Sequence, residues 1–261
     1  MRRPLIDQLR PRAGTGALRG PLVHVDETGS TNDRARELAL AGAPHGTVVV
    51  AEHQSAGRGR QGRIWSAPRG RALTLSVLVR PQHARMGLLP LAVALAVCEA
   101  CEAVAPVSCA IKWPNDVWIE ERKVAGILIE ARPREGWAVL GIGLNVDTAA
   151  DELAPELRES ATSLRIATGD SVDREAALDA LFDRLANWID AMGRPHLVTN
   201  AFRERDALYG REIAWTQDSQ RMSGAARGIE DDGSLVVFTG GSEPMRLDAG
   251  EVHLEHPPRT A

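Results

Sequence analysis

The sequence predicts an α+β fold in which helices back a mixed β-sheet, followed by a small C-terminal β-barrel. Three observations lead to this prediction. Short apolar strands dominate the middle of the chain, the helical segments are few and long, and the C-terminal part contains only short alternating runs separated by turns. A length of 261 residues allows one large domain and a smaller one. We therefore predict a main domain over residues 1–206 and a β-barrel domain over residues 207–261.

The first part of the main domain contains two helical patterns and two strand patterns. Ser30-Thr31-Asn32-Asp33 has the form of a capping box and precedes an apolar stripe, which predicts a helix. Residues 47–52 (TVVVAE) form an apolar run and residues 73–79 largely alternate, so both are predicted as strands. Residues 86–104 are the most apolar stretch, but they contain a proline and two glutamates, which favours a buried helix over a membrane span.

The middle of the chain is rich in strands. Strand patterns occur around residues 109–113, 117–119, 126–131 and 137–146, with a polar turn after the second. Because strands outnumber helices here, we expect one mixed sheet with helices on one side.

The last third changes from helical to strand patterns. Residues 173–192 carry apolar side chains at helical spacing, and a second helix is predicted near residues 197–208. The runs that follow carry turn signals at Asp232-Gly233 and Gly240-Gly241, which is typical of a small β-barrel. These runs are REIAWTQ, GAARGIEDDGSLVVFTG and MRLDAGEVHLEH.

Composition and charge exclude several classes of function. With 44% hydrophobic and 25% charged residues, the composition is that of an ordinary globular protein. The net charge of −4 gives no overall field that favours nucleic acid or an anionic membrane. The N-terminal segment MRRPLIDQLRPRAGTG is basic but lacks the apolar run of a secretory signal. Any phosphate chemistry must therefore depend on local positive charge.

The three cysteines favour a reducing cytoplasm and no disulfide framework. Cys98-x-x-Cys101 lies inside the apolar helix, and no second Cys/His pair at zinc spacing follows it. We therefore expect Cys98, Cys101 and Cys109 to be small core residues rather than a redox or zinc motif.

Residues 57–63 (GRGRQGR) form a basic, glycine-rich loop. The glycines fit the dinucleotide pattern G-x-G-x-x-G, but no helix start follows and no carboxylate lies at the required distance. A Walker A motif is excluded because Arg63-Ile64 replaces Lys-Ser/Thr. Five arginines and no acid lie between Gly57 and Arg71. We expect this loop to be mobile when empty and to become ordered around a polyanion.

Further polar residues follow the predicted strands. Lys112-Trp113-Pro114-Asn115-Asp116 brings a cation, an amide and a carboxylate to one strand end. Lys123 precedes the apolar run Gly126–Glu130, and Gly141–Asn145 follows. Each of these segments alone is explained by polar residues in turns, but together with the basic loop the segments form an ordered series.

The segments of this series are STN (30–32), AEHQSAGRGRQGRIW (51–65), KWPNDV (112–117), KVAGILIE (123–130) and GIGLNV (141–146). In order and spacing the series resembles that of biotin–protein ligases, also called biotin–[acetyl-CoA-carboxylase] ligases. The similarity covers roughly residues 22–205 and implies a C-terminal SH3-like β-barrel. Some members carry an N-terminal helix-turn-helix, for which the roughly 25 residues before the first motif are too few. We therefore expect the monofunctional type, without repressor function.

The resemblance implies a two-step reaction. The carboxylate of biotin attacks the α-phosphorus of ATP and gives biotinyl-5′-AMP and pyrophosphate, and a lysine amine of a carrier domain then attacks the mixed anhydride. Because the first nucleophile is already ionised at neutral pH, this step needs positioning and positive charge rather than a general base. The implied ligands are biotin and ATP with Mg²⁺.

The resemblance also implies a partner, the biotin carboxyl carrier domain of an acyl-CoA carboxylase. The location expected from the cysteine usage is the cytoplasm. We expect neither nucleic acid nor a membrane as a partner. A homodimer through an exposed sheet edge is left open.

Site residues are carried over from the family motifs. Catalytic roles are implied for Lys123, Lys112 and Arg60. Biotin contacts are implied for Ser30, Thr31, Asn32, Gln54, Arg58, Gly59, Arg60, Lys123, Gly126 and Gly141. ATP and adenylate contacts are implied for Arg58, Arg60, Arg63, Trp65, Lys112, Asn115, Asp116 and Asn145. No cluster of side chains predicts a metal site of its own, so Mg²⁺ would arrive with ATP and Asp116 would help to place it.

Two alternatives are kept. A lipoate–protein ligase or octanoyltransferase shares the catalytic fold, although GRGRQGR and KWPND favour biotin. A nucleic-acid-binding protein with an arginine–glycine loop belongs to another class, and it leaves the other motifs unexplained.

Overall fold

The main sheet has seven strands in the order β1-β2-β3-β7-β6-β5-β4. The computed structural model describes residues 18, 20–80, 86–241, 243–248 and 250–255, so the basic N-terminal segment lies outside the described residues. β1 and β2 pair in parallel and the other neighbours pair antiparallel, which confirms the predicted mixed sheet. The strands are β1 (Leu22–Thr28), β2 (Val48–Gln54), β3 (Ala72–Val79), β4 (Ala110–Lys112), β5 (Asp116–Ile119), β6 (Arg122–Arg132) and β7 (Trp137–Asn145).

The centre of the sheet is covered on both faces. Every residue of β3 and β7 is buried, as expected for central strands. One face packs against α2 (Leu89–Val104), which contacts α4 (Arg174–Ala191) and α5 (Pro195–Glu204). The core of the main domain therefore lies between the sheet and this group of helices.

The apolar stretch at residues 86–104 is a core helix, as predicted. By length and composition alone it could cross a membrane, but most of α2 is buried inside the protein. Cys98 and Cys101 lie in this helix and Cys109 lies in the same core, all three as buried free thiols. The prediction that they are small core residues is confirmed.

The first helix, α1 (Thr31–Leu40), lies on the opposite face of the sheet. Val49 packs with Ala35 of α1, whereas Val48 and Val50 belong to the core that contains α2. Because side chains alternate along a strand, the two clusters lie on opposite faces. The expectation that helices cover only one side is therefore wrong, since the pattern of one short helix does not specify a face.

Two further sequence predictions need correction. Ser30 is the N-cap residue of α1, but its side chain accepts no capping hydrogen bond, so the predicted capping box is not formed. The hydroxyl lines a cavity instead. Strand β1 and the short helix α3 (Leu164–Thr168) were not predicted, because their apolar patterns are weak.

The C-terminal residues form a separate antiparallel sheet in the order β11-β10-β9-β8-β12, which is consistent with the predicted SH3-like barrel. The division at residues 206 and 207 stays a prediction. The strands are β8 (Glu212–Gln217), β9 (Gln220–Ile229), β10 (Leu235–Phe238), β11 (Met245–Leu247) and β12 (Val252–Leu254).

Hydrogen bonds join the C-terminal sheet and its turns to the rest of the chain. Trp113 Nε1 donates to the carbonyl of Gly233 at 2.9 Å, and Arg203 of α5 donates to the carbonyl of Ile229 at 2.9 Å. Lys112 at the end of β4 and Val252 and His253 of β12 line the same cavity.

Candidate active site

Two adjoining cavities lie on the α1 side of the main sheet. The inner cavity encloses about 450 Å³ and the outer about 1330 Å³, each partly open to solvent. They share a wall formed by Gly59, Arg60, Trp65, Asn115 and Lys123. A small ligand in the inner cavity would therefore meet a ligand in the outer cavity at a wall that carries two cations.

All of the predicted site residues line one of these cavities, although their individual roles stay predictions. The predicted biotin contacts all line the inner cavity. Of the predicted nucleotide contacts, every one except Arg58 lines the outer cavity, which Arg58 does not reach. The outer group is Arg60, Arg63, Trp65, Lys112, Asn115, Asp116 and Asn145.

The polar floor of the inner cavity comes from the start of α1 and the end of β2. The backbone N–H of Thr31 donates to Gln54 Oε1 at 2.7 Å. This bond fixes the direction of the Gln54 amide, because only its oxygen can accept. Within the described part of the chain, Gln54 Nε2 makes no hydrogen bond and is left as a donor for a ligand.

Glycines on β7 make room for two side chains. A Cβ at Gly141 would lie 2.2 Å from Asn32 Oδ1, and one at Gly143 would lie 2.2 Å from Trp65 Cε2. These separations are far below contact distance, so only glycine allows either side chain to lie on the sheet. Trp65 therefore forms the wall between the cavities by packing directly on the backbone of β7.

The basic loop folds back on itself beside this wall. Trp65 N donates to the carbonyl of Gly57 at 3.0 Å, and Gly59 N donates to the carbonyl of Arg63 at 2.8 Å. The segment from Gly57 to Arg71, which includes the loop, contains no acid, but each of its five arginines meets a polar side chain from elsewhere in the chain. The partners are Asp33 and Glu130 for Arg58, Asn115 for Arg60, Glu251 for Arg63, Asp26 and Glu27 for Arg69, and Asp147 and Glu152 for Arg71.

Arg58 is held by two carboxylates. Its Nη2 lies 2.8 Å from Asp33 Oδ1 and 3.2 Å from Glu130 Oε1. The hydrogen bond from Arg58 keeps the pKa of the Asp33 carboxyl below its ordinary value. Arg58 thus connects the loop to α1 and β6, and its predicted contact with adenylate stays a prediction.

The two cations of the shared wall have different surroundings. Arg60 Nη1 donates to Asn115 Oδ1 at 3.1 Å, and burial lowers the pKa of this guanidinium, which nevertheless stays charged. Lys123 Nζ lies 2.7 Å from Asp116 Oδ1 and 5.9 Å from the centre of the Trp65 ring. Lys123 is thus held by a carboxylate that an incoming anion could replace.

The outer cavity combines cations with an apolar side. Lys112 Nζ lies 5.3 Å from the centre of the Trp118 ring, and burial lowers the pKa of this amine. Asn145 is buried, and its Nδ2 donates to the carbonyl of Thr162 at 3.0 Å. Leu153 and Leu157 line the cavity nearby and offer surface to a flat apolar ligand.

Sequence reasoning missed several residues around these cavities. Glu251 and His253 reach the outer cavity from the C-terminal sheet, and Glu251 pairs with Arg63. No motif signals this contribution, because it depends on how the two sheets pack. Of the partners of Arg58, Glu130 lies inside a matched motif and Asp33 directly follows one, so their charge is a signal that could have been used.

The chain resembles known proteins in sequence and in fold. Residues 25–147 match the profile of the Biotin/lipoate A/B protein ligase family. A biotin--[acetyl-CoA-carboxylase] ligase of Mycobacterium tuberculosis is 37% identical over 270 residues, which cover 95% of this chain and 98% of that protein. The bifunctional ligase/repressor BirA of Bacillus subtilis is 34% identical over 227 residues, which cover 84% of this chain and 69% of that protein.

Solved structures agree with the sequence relatives. The biotin protein ligase of Aquifex aeolicus in complex with biotin and ATP is 28% identical, with a TM-score of 0.79 over 90% of this chain and 99% of that chain. From the identity and coverage of these relatives, the chain belongs to the Biotin/lipoate A/B protein ligase family, among its biotin protein ligases.

Proposed function

We infer that this chain is an ATP-dependent biotin–protein ligase, which activates biotin as biotinyl-5′-AMP and transfers it to a lysine of a biotin carboxyl carrier protein. The observation that carries this function is the shared wall, where Arg60 and Lys123 lie between a small cavity and a larger one. Positive charge at this wall lowers the repulsion between two anionic substrates. The related ligase of Aquifex aeolicus was solved with biotin and ATP, which supports the same pair of substrates.

The inner cavity suits the ring system of biotin. A urea presents one acceptor and two donors, so its site needs both donors and acceptors. Gln54 Nε2 supplies a donor, and the hydroxyls of Ser30 and Thr31 supply acceptors. Trp65 and Ile127 give the apolar surface that the rest of the ring system requires.

The first step follows from charge at the shared wall. The biotin carboxylate forms a bond to the α-phosphorus of ATP, and the bond from that phosphorus to the leaving pyrophosphate breaks. Lys123 and Arg60 reduce the repulsion between carboxylate and phosphate and stabilise the charge of the transition state. When the substrates bind, the ion pair of Lys123 with Asp116 is replaced by contacts of Lys123 with the substrate anions.

The outer cavity suits a nucleotide. Leu153 and Leu157 would contact the adenine, and Asn145 lies at the same cavity. Lys112 and Arg63 would hold the pyrophosphate part. Binding of phosphate would also require Arg63 to separate from Glu251.

Magnesium is proposed as a companion of ATP. Mg²⁺ is usually bound by one or two carboxylates together with substrate phosphates, and the carboxylate of Asp116 at the outer cavity fits this donor set. The ion would supply further positive charge to the phosphates. Among the described residues, no group of three or more acids, histidines or cysteines forms a metal site of its own.

The second step needs an intermediate that survives until the carrier arrives. The acyl phosphate is open to hydrolysis, and the loop that contains Arg60 would exclude water from it. A lysine amine of the carrier then attacks the acyl carbon and releases AMP. A biotin carboxyl carrier domain, a cytoplasmic location and a monofunctional ligase stay predictions, as does a homodimer.

Biotin-dependent exchange of labelled pyrophosphate into ATP tests this function. We expect exchange with biotin and little with lipoate, which would separate biotin ligation from lipoate ligation. Absence of exchange with biotin under conditions where the chain is folded would overturn the proposal. The nucleic-acid alternative is not favoured, because the arginines of the loop already contact acids or line a cavity.

A further inference from the structure

Ser76 lies directly beneath the inner cavity and is not among the predicted site residues. It belongs to β3 and is fully buried. Its Oγ lies 2.6 Å from Asn32 Oδ1 and 2.8 Å from Thr31 Oγ1. A single buried hydroxyl thus contacts two residues that line the cavity.

The orientation of the Asn32 amide is determined by its surroundings. Asn32 lies across a row of three strands, in which Ser76 pairs with Gly141 and Gly141 pairs with Leu128. Asn32 Nδ2 lies 3.3 Å from the carbonyl of Leu128 and 3.0 Å from Glu130 Oε1. Both of these groups only accept hydrogen bonds from an amide, so Nδ2 faces β6 and Oδ1 faces Ser76.

The positions of the hydroxyl protons follow from this orientation. Asn32 Oδ1 can only accept, so the single proton of Ser76 is donated to it. Ser76 Oγ then accepts the proton of the Thr31 hydroxyl at 2.8 Å. Two hydroxyl oxygens at 2.8 Å need a proton between them, and the Ser76 proton is already given to Asn32, so Thr31 supplies it. Gln54 Oε1, at 3.0 Å, is the more distant acceptor for this proton.

We propose that Ser76 is a positioning residue that sets the direction of hydrogen bonding in the inner cavity. It fixes Asn32, and it takes the Thr31 proton, so that Thr31 Oγ1 faces the ligand as an acceptor for a ring N–H. With Gln54 Nε2 as the donor to the ring carbonyl, the site selects a urea. This role rests on the proposed function, because biotin supplies the urea.

The test compares biotin with its two ring carbamate analogues, in each of which oxygen replaces one ureido N–H. In the wild-type protein, the oxygen of one analogue would place a lone pair against the lone pair of Thr31 Oγ1. In Ser76→Ala the Thr31 hydroxyl is free to turn and donate to that oxygen. We expect calorimetry on the full chain to show biotin bound about tenfold more weakly by Ser76→Ala, with the preference over that analogue reduced by about the same factor.

Matched measurements keep this role separate from a structural one. Thr74 lies on the same face of β3 and is also buried, but its hydroxyl donates to the carbonyl of Ala51 at 2.7 Å. Thr74→Ala should therefore keep the wild-type preference between biotin and the analogue. We expect KM for ATP and kcat of Ser76→Ala in pyrophosphate exchange to stay within about twofold of wild type, since the change is confined to the vitamin site.

Two results would overturn the role of Ser76. One is an unchanged preference in Ser76→Ala, and the other is an equal loss of preference in Thr74→Ala. If Ser76→Ala folds poorly, Ser76→Cys fills the site with a slightly larger side chain that is a weak donor and should give an intermediate preference. A wild-type chain that does not bind biotin at all would instead remove the proposed function.

Discussion

Lys123 holds its position between the cavities through two contacts, the carboxylate of Asp116 and the face of Trp65. Lys123→Ala would remove the cation at which the substrate anions meet and leave the Asp116 carboxylate without this partner. We expect biotin-dependent pyrophosphate exchange to fall by at least about 100-fold. The neighbouring cation Arg122 lines neither cavity, so Arg122→Ala is a matched control that should retain exchange. Near-normal exchange in Lys123→Ala would contradict this role.

Arg60 covers the shared wall from the loop side and is anchored by Asn115. Because the basic loop that carries it is expected to order over the bound intermediate, we expect Arg60→Gly to form biotinyl-5′-AMP but to release it early. The measurement is the ratio of free biotinyl-5′-AMP to biotinylated carrier, which should rise about tenfold or more. Arg69→Gly, at the far end of the same loop, removes contacts with Asp26 and Glu27 but touches neither cavity. The ratio should change little there, and tight retention by Arg60→Gly would count against the role.

Strand β7 matters for the site because its glycines leave room for the side chains of Asn32 and Trp65. Gly143→Ala would place a methyl group 2.2 Å from Trp65 Cε2, so the ring must leave the wall between the cavities. We expect the affinity for biotin to fall about tenfold or more, measured by calorimetry, since several contacts would be lost together. At Gly29, just before α1, an added methyl group would meet no atom within 4 Å, so Gly29→Ala is the control. Equal affinities for wild type and Gly143→Ala would show that Trp65 is not confined by the sheet.

The elements differ in how far the sequence predicts them. Strands β2 and β7 and helix α2 were predicted because each contains a run of consecutive apolar residues. Strand β1 was missed because its residues are mostly half-buried at a sheet edge, where the apolar pattern weakens. The face taken by α1 depends on the crossover between strands, which periodicity does not encode.

The residues of the candidate site also differ in whether the sequence predicts them. Its motif residues lie around the cavities because strand ends and loops carry them there, and spacing along the chain indicates this. Ser76 was not predicted, since a serine in an apolar strand has no signature of its own. Glu251 was not predicted either, because it reaches the outer cavity only through the packing of two sheets.

At the scale of the whole molecule, the C-terminal sheet completes the outer cavity but not the inner one. Among the described residues, those that line the inner cavity lie between Ser30 and Gly143, whereas His253 of β12 and the adjacent Glu251 line the outer one. Contacts between the two sheets should therefore affect the binding of ATP more than the binding of biotin. The link between them also pairs with the main sheet, since Ile111 N donates to the carbonyl of Arg205 at 2.7 Å.

Asp206, in this link, should make stability depend on pH. Burial raises the pKa of its carboxyl to about 6. The unfolded value is near 3.9, so the folded state binds more protons between these values, and the free energy of unfolding falls as pH rises through this window. Asp206→Asn has no carboxyl to ionise and should not lose stability in this window. The free energy of unfolding of the variant minus that of wild type should therefore increase by roughly 2 kcal/mol between about pH 4 and pH 7.

Urea unfolding of both proteins across this window measures the difference. Asp206→Asn keeps an oxygen that can accept from the N–H of Leu208, a bond of 2.8 Å in the wild-type protein, so the turn should persist. Asp231→Asn changes an exposed carboxylate and is expected to alter stability little at any pH. If the free energy of unfolding depends on pH in the same way for wild type and Asp206→Asn, ionisation of Asp206 does not destabilise the folded protein. In that case the carboxylate must gain a partner or water on folding, and the link between the sheets would be open rather than buried.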